Sequence, residues 1–169
     1  MRFTSLKLDS VRDLLLEELK DLYSAETQLV EALPKMAQAA SSPELQSAFK
    51  QHLNETQGQV SRLEQVFQQL GQDPGGETCD AMKGLVKEAQ HFLTAQGAKE
   101  VIDAGLIGAA QRVEHYEMAG YGTARTLAQQ VGENQIANLL QQTLEEESQA
   151  NEKLTAIAEK SVNPSASSR

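Results

Sequence analysis

The chain has 169 residues, enough for one domain and short for two. Its 24 acidic residues outnumber 15 basic ones, and a net charge of −9 repels phosphate backbones and anionic lipid, which argues against nucleic-acid and membrane-surface binding. Aromatic residues make up only 4% and Trp is absent, a composition that disfavours β-sandwiches and barrels and suits long helices.

A single cysteine excludes an intramolecular disulfide framework. No apolar run approaches the ~20 residues needed to span a bilayer. The opening stretch Met1-Arg2-Phe3-Thr4-Ser5-Leu6-Lys7-Leu8-Asp9 lacks the apolar core of a signal peptide. The expectation is a soluble, cytoplasmic protein.

In chain order, Ser10-Val11-Arg12-Asp13 reads as a capping box opening the first helix. Leu15, Leu19, Leu22, Leu29, Leu33 and Met36 follow at steps of three and four wherever the stripe is unbroken, one helical face. Pro34 has no amide hydrogen and predicts a bend or an early end. Ser41-Ser42-Pro43-Glu44 opens the second helix, whose stripe is Leu45, Phe49, Leu53, Val60, Leu63, Val66 and Leu70, closed by Gly71.

Gln72-Asp73-Pro74-Gly75-Gly76 is a clear break. From Glu77 to Gln96 a shorter amphipathic pattern (Met82, Leu85, Val86, Ala89, Leu93) predicts a connecting helix, weakened by Gly84. The next long helix begins near Ala98, carries Ile102, Leu106, Ala110, Val113, Ala124, Leu127 and Val131, and ends at Gly132. The last begins near Asn134 and carries Ile136, Leu140, Leu144, Leu154 and Ile157. Residues 1–160 form one domain in this scheme, and 161–169 are expected to be a disordered tail. Two helical hairpins joined by a long connection give an all-α four-helix bundle with one crossover, the ferritin-like topology.

Function is signalled by what interrupts the stripes. Glu26 stands where the first helix requires an apolar residue, and Glu117 does so in the third long helix, with Glu114 one turn back. His52 lies between Phe49 and Val60, with Glu55 at i+3, and Glu147 lies between Leu140 and Leu154. A shift of 91 residues superposes Leu45 on Ile136, Phe49 on Leu140, Leu53 on Leu144, Leu63 on Leu154, Glu26 on Glu117 and Glu55 on Glu146. The hairpins therefore read as copies about an approximate two-fold axis. The repeat selects Glu146 as the fourth-helix partner, whereas helical phase selects Glu147; Glu147 is placed first, and both stay open.

Buried unpaired carboxylates cost several kcal/mol each and repel one another. No Lys or Arg sits on these stripes at that level. Two divalent cations would balance four carboxylates, and an oxygen-rich set with one imidazole favours iron, then manganese, over zinc. The candidate ligands are Glu26, His52, Glu55, Glu114, Glu117 and Glu147 or Glu146. Each has a plainer alternative: Glu26 at a solvated edge, His52 as a hydrogen-bonded core histidine, Glu114 behind the ligands, Glu146 facing water. Tyr23, Tyr116 and Tyr121 could hydrogen-bond ligands, His91 and His115 fall at the surface, and Cys79 reads as a small hydrophobe.

Several stretches resemble the bacterial YciE/YciF family. They are Cys79-Asp80-Ala81-Met82, His52-Leu53-Asn54-Glu55-Thr56, Asp103-Ala104-Gly105-Leu106-Ile107, Val113-Glu114-His115-Tyr116-Glu117, Tyr121-Gly122-Thr123 and Thr143-Leu144-Glu145-Glu146-Glu147. The similarity runs from about Leu14 to Leu154. It implies a ferritin-like bundle, commonly a homodimer, associated with bacterial stress responses. The chain departs from the usual di-iron pattern of Glu-x-x-His on two helices: Glu55 is followed at i+3 by Gly58 and Glu146 by Gln149. Two functions fit. One is a carboxylate-bridged di-metal centre reacting with peroxide or oxygen; the other is a non-catalytic stress or interaction protein whose acidic site is structural or empty. Bulk iron storage is disfavoured, since storage needs a large cage that nothing here specifies.

Overall fold

The computed structural model describes residues 6–168; Met1–Ser5, part of the stretch read above for a leader, and Arg169 lie outside the described residues. Its elements are α1 (Val11–Ala39), α2 (Pro43–Leu70), α3 (Asp80–Leu93), α4 (Lys99–Gln130) and α5 (Asn134–Ile157). A π-helical turn (Ala158–Val162) and a short α6 (Asn163–Ser167) complete the chain. The connecting helix of the sequence reading is α3, so the two hairpins are α1–α2 and α4–α5.

The helix ends follow their local chemistry. Ser10 Oγ accepts the Asp13 amide at 3.1 Å while Asp13 Oδ2 accepts from the Ser10 hydroxyl and the Asp9 amide. Ser42 caps α2 with Pro43 at its first position, and Gly71 ends it in the left-handed conformation, φ 64°. Helix α1 runs through Pro34 to Ala39 rather than ending early.

α1 packs on α2 and α4, and α5 packs on α4 and α2, so the four long helices form a square. α3 lies outside it against α1 and α4. The Asp103 carboxylate, near the start of α4, accepts the Ser41 and Ser42 amides, each at 2.8 Å, and the Ser41 hydroxyl at 2.7 Å. That pins the α1–α2 turn to the N-terminal end of α4 and makes α2 and α4 run the same way, as a crossover requires. No helix among the described residues is long and apolar enough to cross a membrane.

The core is two apolar clusters. One gathers Leu29, Leu33, Met36, Leu45, Phe49, Met82, Leu106 and Ile107; the other Leu15, Leu19, Leu22, Leu63, Phe67, Ala124, Ile136 and Leu140. Between them along the helices lies a buried polar layer: Glu26, His52, Thr56, Gln59, Glu114, Glu117, Thr143 and Glu147.

Two expectations are corrected. The tail does not leave the bundle at Ser161: the chain stays helical to Ser167, and Val162 is buried in the first cluster. One apolar residue inside a Ser-rich stretch anchors it. On α2, Leu53 and Val60 are only half-buried, while His52, Thr56 and Gln59 occupy the interior.

Gly105 gives α3 its close approach to α4, because a Cβ there would lie 2.4 Å from the Phe92 ring. Gly105→Ala should lower stability by about 1–3 kcal/mol by overpacking. Gly108→Ala, whose nearest neighbour would be the Arg112 guanidinium at 3.8 Å, should raise it by up to about 1 kcal/mol. Urea unfolding of the pair checks both signs.

Candidate metal centre

Each long helix contributes to the polar layer at mid-length: Glu26 from α1, His52 from α2, Glu114 and Glu117 from α4, Glu147 from α5. Glu26, Glu117 and Glu147 are wholly buried and Glu114 nearly so. One donor atom from each of His52, Glu114, Glu117 and Glu147 lies within 4.8 Å of the others. Glu26 stands beside this group, its charge acting on Glu117 and Glu147.

The hydrogen bonding is half complete. Tyr121, fully buried, donates its hydroxyl to Glu26 Oε1 at 2.5 Å, leaving Glu26 Oε2 without a partner. The Gln59 amide donates to Glu147 Oε1, leaving Oε2 free. Glu114 Oε2 has no donor, and neither oxygen of Glu117 has one. His52 Nε2 stands 3.3 Å from Glu114 Oε1 and 3.9 Å from Glu147 Oε2, and Nδ1 stands 3.5 Å from Glu55 Oε2. These are ion-pair distances, but neither ring nitrogen is angled to make a hydrogen bond. Buried donors and acceptors are ordinarily paired, so this density of orphaned oxygens is what a group able to hold a metal ion presents. Carboxylate oxygens with a single imidazole fit a hard or borderline divalent cation.

The remaining candidates lie elsewhere. Glu55 and Glu146 each keep 32% of their side-chain surface exposed at the rim. Glu55 accepts from the Gln51 amide at 2.8 Å. Glu146 takes a two-pronged contact from Arg62, both bonds 2.9 Å, and a third from Gln59 at 3.1 Å. Arg62 escaped the sequence reading because it lies off the stripe and reaches in along its stem; it pairs with Glu146, leaving His52 as the cationic group among the four buried carboxylates. Gln59 and Thr56 were missed too, since uncharged residues on an apolar face do not announce themselves.

Of the tyrosines, Tyr121 alone hydrogen-bonds a member of the cluster among the described contacts; Tyr23 donates to Glu64 and Tyr116 to Asp21. Cys79 is buried as expected and also caps α3, its sulfur accepting the Met82 amide at 3.3 Å. His91 and His115 are exposed.

The titration of the cluster follows its burial. Loss of solvent raises Glu26 to about 8, against the lowering effects of Tyr121 and His52. Burial, then the charges of neighbouring glutamates, hold Glu117 and Glu147 well above the usual carboxylate range. For His52 burial works downward, but the carboxylates of Glu114, Glu55 and Glu147 hold it well above its ordinary value. At the rim, the contact with His52 lowers Glu55.

The profile of the family described as a domain of unknown function, DUF892, matches residues 10–167. The chain belongs to that family. It is 44% identical over 165 residues to Protein YciF of Escherichia coli strain K12, covering 97% of this chain and 99% of that one. The crystal structure of the E. coli stress protein YciF is similar to it with a TM-score of 0.89 at 45% identity, covering 92% of this chain and 99% of that one. A Rhodopseudomonas palustris chain named YcfI gives 0.87 at 42% identity, covering 94% and 99%. A Xanthomonas campestris protein at 23% identity and TM-score 0.71, covering 89% and 92%, shares the fold. The ferritin-like bundle of the sequence reading stands.

In this DUF892 chain the raised carboxyls keep protons that the unfolded chain has lost. The folded state then binds more protons, so stability falls as pH rises from about 5 towards and past 8, with up to about 1.4 kcal/mol per pH unit for each group. Protonated His52 acts in the same direction: its contribution is complete below the unfolded value and disappears as pH climbs through the raised one. Thermal unfolding between pH 5 and 9 should show Tm dropping by at least about 3 °C. Glu117→Gln should flatten that slope.

Proposed function

We propose that this chain is a stress-associated ferritin-like protein whose buried layer binds a carboxylate-bridged pair of divalent metal ions, iron before manganese, and reacts there with peroxide or oxygen. The observation that carries this reading is Glu117. Both of its oxygens are buried and without a donor, among three further carboxylates and an imidazole.

Two divalent ions balance the four carboxylates in charge, and binding expels the protons that burial holds on them. Glu117, with both oxygens unpaired, would be the residue able to serve both ions. His52, Glu114 and Glu147 would hold an ion together with Glu117, and Glu26, beside them, would add a further carboxylate. Tyr121 and Gln59 each tie down one oxygen of a ligand and so aim the other. Glu55 and Glu146 stay outside the ligand set. One imidazole and four carboxylates leave coordination positions for a small oxidant. A ferrous pair held there would supply the two electrons that reduction of peroxide to water requires. The association with stress rests on the resemblance to YciF, which is described as a stress protein.

Untagged protein incubated with ferrous iron or manganese should carry about two metals per chain by elemental mass spectrometry. Combining Glu26→Gln with Glu117→Gln should remove more than half of that content and the peroxide consumption that accompanies it. Unchanged metal content in the double variant would defeat the proposal. A metal-free double variant that is merely more stable, compared with a wild type that never binds metal, would assign the layer to a non-catalytic protein.

A further inference from the structure

A cleft of about 150 Å³ opens between α2 and α5 and ends on the polar layer. Its floor includes His52 and Glu114, and its outer lining includes Gln51, Glu55 and Lys153. The ligands themselves are covered, so an ion bound among them must arrive along some path. This cleft meets two of them, and the His52 ring, 7% exposed, lines its inner end.

The side chains at the mouth form a polar strap. Lys153 of α5 donates from Nζ to Gln51 Oε1 on α2 at 2.5 Å, and Gln51 donates on to Glu55 Oε1 at 2.8 Å. The other oxygen of Glu55 stands 3.5 Å from His52 Nδ1. An ammonium, an amide, a carboxylate, an imidazole and a buried carboxylate thus follow one another inward. Glu146, which also lines this cleft, is held by Arg62 in a two-pronged contact, whereas Glu55 faces the His52 ring and the Gln51 amide, with Lys153 one amide further out and no guanidinium. Glu55 is therefore the carboxylate in the cleft able to take a passing cation.

We propose that this cleft is the route by which a divalent cation reaches the buried ligands, with Glu55 as its transit carboxylate and Lys153 as the displaceable cation that closes the mouth. The inference rests on the metal-binding reading above. A transit residue has a kinetic signature that a ligand lacks: it changes association and dissociation by the same factor and leaves the equilibrium alone.

The test is stopped-flow loading of metal-free full-length protein with cobalt(II), followed by the visible absorption of the bound ion. Release is driven by excess chelator, and final content is read by elemental analysis. Glu55→Gln should slow loading and release about threefold to tenfold with content unchanged, the effect of removing one charge from a partly screened path. Lys153→Ala should speed both, and the salt dependence of loading should weaken in Glu55→Gln. Both residues are at the rim, so the bundle should form in each variant, as circular dichroism would verify. Loss of bound cobalt in Glu55→Gln would make Glu55 a ligand and overturn the proposal. Unchanged rates in both variants would place the route elsewhere and overturn it too. A wild type that takes up no cobalt, iron or manganese would instead remove the metal-binding reading on which it rests.

Discussion

Four glutamates buried at one level of the bundle, with no cationic Lys or Arg side chain among them, are the constraint around which the rest is arranged. Bringing even one ionised carboxylate out of water costs several kcal/mol, and neighbouring charges add to that. The layer persists because it is thin relative to the helices. Apolar clusters above and below lock the same four helices together, and each buried leucine or phenylalanine contributes about 1.5–3 kcal/mol. Helices of 24 to 32 residues are what allow two such clusters with a polar gap between them. The Asp103 contacts and the crossover helix then hold the hairpins in one register, so that the gap in each stripe falls at the same height.

The two-fold repeat shapes the scaffold more faithfully than it shapes the chemistry. Glu26 and Glu117 match across it and both face inward. On the other pair of helices the interior positions of α2 are His52, Thr56 and Gln59, and the same shift carries them to Thr143, Glu147 and Ala150. One hairpin thus supplies an imidazole and an orienting amide where the other supplies a carboxylate and small residues. The Glu55 and Glu146 pair is a match of two rim residues with different neighbours, one beside His52 and the other held by Arg62. A symmetric backbone therefore presents two chemically inequivalent halves.

Much of this was legible in the sequence, and the reason is phase. Glu26, Glu117 and Glu147 sit at the centre of otherwise apolar stripes, and a charge at such a position reads directly as burial. The choice between Glu146 and Glu147 could not be made by matching repeats, because identity across a shift says nothing about which way a side chain points; burial puts Glu147 inside. On α2 the apolar Leu53 and Val60 drew the stripe a fraction of a turn aside, which hid Thr56 and Gln59. Arg62 and Val162 were illegible for opposite reasons. The first is a surface-phase residue long enough to reach inward, and the second is one apolar side chain in a stretch whose composition looks disordered.

What sets the layer apart from an incidental buried polar patch is how its hydrogen bonds are distributed. Glu26 has Oε1 held by Tyr121 and Oε2 free; Glu147 has Oε1 held by Gln59 and Oε2 free; Glu114 turns Oε1 towards His52 and leaves Oε2 free; Glu117 has both free. A core that only needed these residues neutral would gain by giving each carboxyl an acceptor for its proton, and unsatisfied oxygens would then be a loss of about 1–3 kcal/mol apiece. A core that needs them as ligands requires the opposite: one oxygen fixed so that the side chain cannot swing, and one kept bare and aimed at a common point. Glu26 and Glu147 have the second arrangement, and the residue with two bare oxygens, Glu117, is the one whose titration is governed, after burial, by Glu26, Glu147 and Glu114 in turn.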